Sequence, residues 1–478
     1  MGILAGFMVP HPPMIVPEVG RGSESQIEET TRAYEYVADR IAELQPETII
    51  LSSPHSIMYA DYFHISPGRY AEGSFARFGA PKVAFHVEYD KELVGAISNR
   101  AYEHDLQAGV LGEKDAALDH GTMVPLYFIT KKYKDFRLVR IGLSGFPLDI
   151  HYQLGQQIKE AVNDLGRRAV YVASGDLSHK LQEYGPYGFA PDGPVYDARI
   201  MDVMGRGAFD ELLDFDEGFL DRAAECGHRS FVMMAGALDQ TEVEIQKLSH
   251  QDVTGVGYGI CSYIVKEIIE GGKAGNRAFL TIWQERQKEK LMERKVKEDI
   301  YVRLARASIE SYIRGGKALD FESVRESLIQ VGGADAVFEM MHTQAGAFVS
   351  LHMDGRLRGC IGTIQATRDS VAEEIMTNAI SAALHDNRFE PVREDELDRL
   401  EYSVDILGPR EKIDSPDQLD VKRYGVIVTK GYKRGLLLPN LDSVDTIEEQ
   451  IAIAKQKAGI PVEETNVQLE RFEVVRHY

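Results

Sequence analysis

Between Met1 and about Lys266, short runs of β-branched residues alternate with stretches whose apolar side chains recur at helical spacing. This alternation is the strongest constraint on the chain, because a strand–helix–strand succession folds into a sheet with helices packed on its faces. The run GILAGFMV is followed by a helix expected over about Ser25–Leu44, with Ile27, Tyr34, Val37, Ile41 and Leu44 on one face and Ser25 and Glu28 spaced as a capping box. Strands are expected at Thr48–Ser52, Arg137–Leu143 and Ala169–Ala173, and helices near Lys91–His104, Thr122–Thr130 and Ile150–Leu165. Residues 1–267 therefore read as an α/β domain with a central mixed or parallel sheet flanked by helices.

The pattern then breaks. Gly271, Gly272 and Gly275 interrupt it, and Gln284–Asp299 is rich in charges of both signs, so residues 268–299 read as a charged helical linker laced by i,i+4 ion pairs. Residues 300–478 form a second domain of α+β character. Its expected elements are a helix Tyr301–Ile313, a tight hairpin at Asp354-Gly355, a helix Ser370–Leu384, a strand Tyr402–Leu407, the hairpin-like GVIVTKGYKRGLLLP and a helix around Thr446–Lys457.

The formal net charge of −21 repels phosphate backbones, and no basic patch offsets it, so a nucleic-acid partner is not expected. The three cysteines, Cys226, Cys261 and Cys360, have no CxxC spacing, which argues against a disulfide framework and a zinc ribbon. The N-terminus lacks a basic segment before its apolar run, and no later stretch reaches the ~18–20 apolar residues of a membrane span. A cytoplasmic location without signal peptide or membrane anchor is expected. The sequence leaves open whether the chain forms a homo-oligomer.

Ten of the fourteen histidines precede residue 251, and several sit where a strand has just ended. His11 follows GFMV, His55 follows TIILSS and His179 follows VYVASGDLS. Ligands of open α/β sheets collect at the carboxyl ends of strands, so these histidines are placed to converge on one crevice. Glu225 opens an otherwise apolar helix, where its carboxylate must be paired, coordinated or used in capping. Two imidazoles and one carboxylate form the facial triad of non-haem Fe(II) oxygenases, and His11, His55 and Glu225 fit it. Cys226, the next residue, reads either as an alternative soft ligand or as a small buried side chain. His64, His86, His104, His151 and His250 lack such a context and read as surface groups. TGVGYG (Thr254–Gly259) reads as glycine-relieved strand packing.

VPHPP, SPHS, ALDHGTMVPLYF (Ala117–Phe128), SGDLSHKL (Ser174–Leu181) and AECGHRSF (Ala224–Phe231) occur in an order that resembles the LigB-type class III extradiol ring-cleavage dioxygenases. Memo-family proteins share that fold. The resemblance implies Fe(II), or zinc or another divalent metal, on His11, His55 and Glu225. It also implies an acid/base role for His179 and a place for His120 beside a small aromatic substrate and dioxygen. An unligated histidine near neutral pKa suits proton transfer to and from a catecholic substrate. Asp119 either orients His120 or caps the helix that follows. Two other functions are open, a Memo-like metal- or ligand-binding scaffold and a metal-dependent hydrolase using the same site.

The second domain, through LRGCIGT (Leu357–Thr363), NAISAALHDNRFEPV (Asn378–Val392) and YSVDILGP, resembles the AMMECR family. Domains of this family and Memo-type domains are often encoded beside a radical-SAM enzyme, which the resemblance implies as a partner. Within LRGCIG, Cys360 reads either as a packing residue or as a nucleophile favoured by Arg358, and Arg358 as an ion-pair or anion-binding residue.

Overall fold

The computed structural model describes residues 2–114, 117–266, 278–353, 355–441 and 444–478. The chain divides into two units, Met1–Glu285 and Arg286–Tyr478.

The first unit is built on a six-stranded sheet in the order Arg137–Gly142, Thr48–Ser53, Arg168–Ser174, Gly2–Val9, Tyr258–Val265 and Val243–Gln251. The first four strands run parallel, and the last two add antiparallel. Both faces of the inner strands are covered, which is why Gly2–Val9, Thr48–Ser53, Arg168–Ser174 and Tyr258–Val265 are buried almost throughout, whereas the edge strand Val243–Gln251 is half-exposed. Ile50, Tyr171 and Ala173 face one core with Ile158, Val232 and Met233 from the helices Leu148–Asp164 and His228–Ala237. Ile49, Leu51, Val170 and Val172 face the other, with Tyr34, Val37 and Ile41 of the helix Glu28–Leu44 and Val124 of the helix His120–Lys132.

The expected capping box does not form. The chain turns through a 3-10 segment, Ser23–Ile27, so the α-helix begins only at Glu28, and the Ser25 hydroxyl donates to the Gly22 carbonyl instead. A hairpin, Tyr70–Phe75 with Ala80–Glu88, was not legible in the sequence. His64 and His151 are fully buried rather than superficial. His151 lies on the inner face of Leu148–Asp164, its Nδ1 bonded to the Pro147 carbonyl at 3.0 Å and its Nε2 accepting from Ser144 N at 3.4 Å.

The Gly271–Gly275 break lies outside the described residues. The charged segment forms the helix Phe279–Lys297, and its first turn is not solvated: Phe279 and Leu280 are buried in the first unit's core, with Trp283 packed beside them. In the second unit a seven-stranded antiparallel sheet runs Arg356–Gly362, Ala347–Met353, Leu400–Leu407, Gln468–His477, Tyr424–Lys430 and Lys433–Leu437, with Glu411–Ile413 also paired to Gln468–His477. The helices Ile300–Gly315 and Val371–Leu384 pack on it through Leu304, Ile309, Ile375 and Ala379, giving an α+β unit. Strands Ala347–Met353 and Arg356–Gly362 pair antiparallel, and the expected Asp354-Gly355 turn falls partly outside the described residues, at Asp354.

Candidate metal centre

Strand register brings the candidate residues together. Val9 pairs with Ser174, and Ser52 with Ala173, so three adjacent parallel strands end at one level. His11, His55 and Asp176 each follow two residues beyond that level, at the carboxyl edge where open α/β sheets bind ligands. His55 Nε2 lies 3.0 Å from His11 Nε2, which is 3.6 Å from Cys226 Sγ. Three donor atoms, from His11, His55 and Cys226, lie within 4.8 Å of one another.

Cys226 arrives by a close crossing of two loops. Gly175 and Gly227 pack so tightly that a Cβ on Gly175 would lie 2.0 Å from the Gly227 Cα, and the Asp176 carbonyl accepts from Gly227 N at 3.1 Å. Just before it, Ala224 adopts a left-handed conformation (φ 53°), uncommon for a residue with a Cβ. Glu225, the expected third ligand, is absent from the donor cluster. Its Oε2 accepts from His228 N at 2.5 Å, so the carboxylate is spent on the exposed N–H groups that open the helix His228–Ala237. Burial raises the Glu225 pKa to about 7, against the opposing pull of those N–H groups and Arg229.

The tautomer of His11 follows from its neighbours. The Ser174 hydroxyl donates to the Gly121 carbonyl at 2.6 Å, so its oxygen is the acceptor for His11 Nδ1–H at 3.0 Å. This leaves the Nε2 lone pair directed at His55 and Cys226. Asp176 accepts from the His11 peptide N–H at 2.7 Å and sets its other oxygen 3.8 Å from His11 Nε2. Sequence reasoning passed over Ser174 and Asp176; the signal was their position at the end of the third strand.

His120 begins the helix His120–Lys132, its ring 4.0 Å from that of His55 and 5.3 Å from that of His11. Asp119 caps this helix, accepting from Thr122 N at 3.0 Å and also from Ser53 Oγ at 2.6 Å. Burial alone would raise its pKa, but the Ser53 bond, Arg140 and the Thr122 bonds together hold it below the usual carboxylate range. His179 Nδ1 donates to the Ala224 carbonyl at 2.5 Å, leaving Nε2 as the lone-pair nitrogen. Phe78 flanks His120 at 5.6 Å and Tyr187 flanks His179 at 5.1 Å, both on exposed surface.

Burial dominates the electrostatics. It depresses the pKa of His11 well below the usual value, with His55 and His120 adding to the effect, and lowers His55 and His120, the latter to about 4. These imidazoles are neutral near pH 7, the form that ligates metals. Burial likewise raises Asp176 and drives the Cys226 thiol well above its ordinary range, with Asp176 and Glu225 adding to the latter. A cation that replaces the thiol proton therefore meets a strong anionic donor.

Residues 5–261 match the family described as the catalytic LigB subunit of aromatic ring-opening dioxygenase, and residues 302–477 match AMMECR1. A Clostridium acetobutylicum protein is 39% identical over 100% of this chain and 99% of its own length. A Thermotoga maritima protein is 50% identical over 38% of this chain and 98% of its own length. Among solved structures, the uncharacterized Escherichia coli protein JW3007 is 14% identical with a TM-score of 0.37, covering 54% of this chain and 99% of that one. The uncharacterized Pyrococcus horikoshii protein PH0010 is 31% identical with a TM-score of 0.33, covering 37% of this chain and 89% of that one. Among the described residues no helix is long and apolar enough to cross a membrane.

Proposed function

The chain belongs to the LigB family over residues 5–261 and carries an AMMECR1 domain over residues 302–477, and from that premise we propose that its first unit is a metal-dependent enzyme acting on a small phenolic or catecholic compound. The observation that carries this reading is the convergence of His11 Nε2, His55 Nε2 and Cys226 Sγ. Bonds of about 2.0–2.1 Å from imidazole and about 2.3 Å from thiolate require ligand atoms roughly 3–4 Å apart. The separations of His11 from both partners fit. A thiolate carries the same single negative charge as the carboxylate it replaces, but as a softer donor it favours zinc or copper over iron. A divalent ion held there supplies Lewis acidity and open positions for a chelating substrate.

The chain's own groups do the rest. Ser174 keeps the His11 lone pair turned inward. His179, with Nδ1 held by a carbonyl, has Nε2 available to accept a phenolic proton and return it. His120 stands beside His55, where a hydrogen bond to developing negative charge on a second reactant is within reach. Phe78 and Tyr187 offer apolar walls to a planar ring.

A second reading, an Fe(II) extradiol dioxygenase consuming dioxygen, is favoured by the presence of both His120 and His179 around the same donors. Anaerobic loading with iron, zinc and copper separately, followed by a catechol panel with dioxygen uptake, tests both. Stoichiometric iron with coupled uptake supports the dioxygenase. Tight zinc or copper binding with turnover but no uptake supports the non-oxygenase enzyme, and binding without turnover of any phenol removes both in favour of a scaffold.

A further inference from the structure

Arg140 stands on the edge strand Arg137–Gly142, yet its side chain is only 2% exposed. By strand alternation it shares a sheet face with Leu138, the face on which the helix His120–Lys132 packs. Its Nε donates to Ser66 Oγ at 2.7 Å and its Nη1 to the Ala117 carbonyl at 2.6 Å, so the guanidinium is clamped just ahead of that helix. There Nη1 lies 3.7 Å from Asp119 Oδ2. A cation is unfavourable to bury, and an apolar side chain fills a strand position with less desolvation. Packing alone therefore gives no reason for arginine here.

Asp119 carries that fixed position to the donors. Its Oδ1 accepts from Thr122 N at 3.0 Å, capping the helix that begins with His120, and from Ser53 Oγ at 2.6 Å. The Ser53 oxygen in turn accepts from the His55 peptide N–H at 3.2 Å. A continuous path thus runs from Arg140 through Asp119 and Ser53 to the backbone that presents the His55 imidazole. Gly121 shows how tightly this junction is packed. A Cβ there would lie 2.4 Å from Ser53 Oγ, 3.0 Å from Asp119 Oδ1 and 3.4 Å from His11 Nδ1. Small displacements of Asp119 or Ser53 are therefore felt at the histidines.

On the metal-centre reading proposed above, we infer that Arg140 is a positioning residue of that centre: it anchors Asp119, which through Ser53 holds His55 where its Nε2 meets His11 and Cys226. The guanidinium fork is held by Ser66 and Ala117 rather than by Asp119 alone, so it fixes the carboxylate instead of following it. Asp119 without its cation still caps the helix but loses the contact that sets where Ser53 and His55 lie.

The test titrates the full chain with cobalt(II) against a competing chelator, reads the thiolate-to-cobalt absorption, and is run below the thermal midpoint of every variant. Arg140→Gln and Ser53→Ala should each weaken cobalt binding about tenfold, the lower end of what outer partners of metal ligands contribute. Because both act along one path, the double variant should fall well short of the roughly hundredfold loss that independent sites would give. Phe279→Ala, which loosens the core on the opposite sheet face, should lower the midpoint followed by circular dichroism but leave the cobalt affinity unchanged. Parent-like affinity in Arg140→Gln, a double variant showing the full product of the two losses, or an equal loss in Phe279→Ala would each overturn the inference. If Arg140→Gln does not fold, Arg140→Lys takes its place: it keeps the charge without the planar fork, so a loss is again expected and parent-like affinity is again the refutation. A parent chain that binds no cobalt would bring down the metal-centre reading and this inference together; with a parent that binds, only the role of Arg140 is at stake.

Discussion

Replacing His151 by glutamine should change how the first unit responds to acid. In the native fold the neutral Nδ1–H tautomer satisfies both ring nitrogens: Nδ1–H donates to the Pro147 carbonyl, and Nε2 accepts from Ser144 N. Protonating Nε2 would set one N–H against another at a fully buried position. Burial therefore lowers the His151 pKa to about 3, the Pro147 bond only partly opposing. In the unfolded chain the value returns to about 6.5. Because the folded state refuses a proton that the unfolded state accepts, His151 stabilises the fold fully above about pH 6.5 and loses that contribution as pH falls toward 3. The loss amounts to roughly 1.4 kcal/mol at pH 5.5 and roughly 2.7 kcal/mol at pH 4.5, out of a typical total of about 5–15 kcal/mol. Glutamine offers an acceptor and an amide NH2 with two donors, one of which is left over at this buried site, and it does not titrate, so the variant starts less stable at pH 7 but follows a shallower acid slope. Trp283, the single tryptophan, packs against this core, so urea unfolding followed by its fluorescence at several pH values reads the right unit. Parallel pH curves for parent and variant would refute the reasoning.

Three further outcomes are expected. Cys226→Ser should abolish the thiolate-to-metal absorption of a cobalt-loaded protein, whereas Glu225→Gln should retain it, because the Glu225 carboxylate serves the helix and not the donor cluster. Ser174→Ala should weaken zinc binding, measured calorimetrically, by about 10–100-fold through loss of the His11 tautomer lock, with Ser174→Thr recovering part of it. Phe279→Ala should destabilise the first unit by about 3 kcal/mol in the same tryptophan assay, since its ring is buried among that unit's core residues.

Much of the site was legible because strands announce where they end. His11, His55 and His179 each follow an apolar run, and the register of three parallel strands turns that linear cue into proximity. The choice between Glu225 and Cys226 was not legible. Adjacent residues point apart, and which one faces the histidines depends on the left-handed turn at Ala224 and on the helix N-terminus that claims the carboxylate. Asp119, by contrast, was readable as a cap from its spacing to Thr122 alone. His151 looked superficial because an imidazole is polar, although its spacing to Leu154 and Ile158 puts it on the buried face of the helix, where the Pro147 carbonyl and the Ser144 N–H satisfy its ring. Arg358 was open for a different reason: its partners Glu390, Pro391 and Glu396 lie more than thirty residues along the chain.

The register that joins the donors also sets when they can meet. Cys226 lies 215 residues after His11, and a ribosome adding about 5–20 residues per second needs roughly 10–40 s to make the intervening chain. During that interval the two histidines are already synthesised but lack their sulfur. An ion captured early would be held by an incomplete donor set, on strands whose central neighbour, Arg168–Ser174, had not yet joined them. On the metal-centre reading proposed above, loading with all three donors is expected only after Cys226 has been made, so that the ion then available around the finished protein determines what the centre contains.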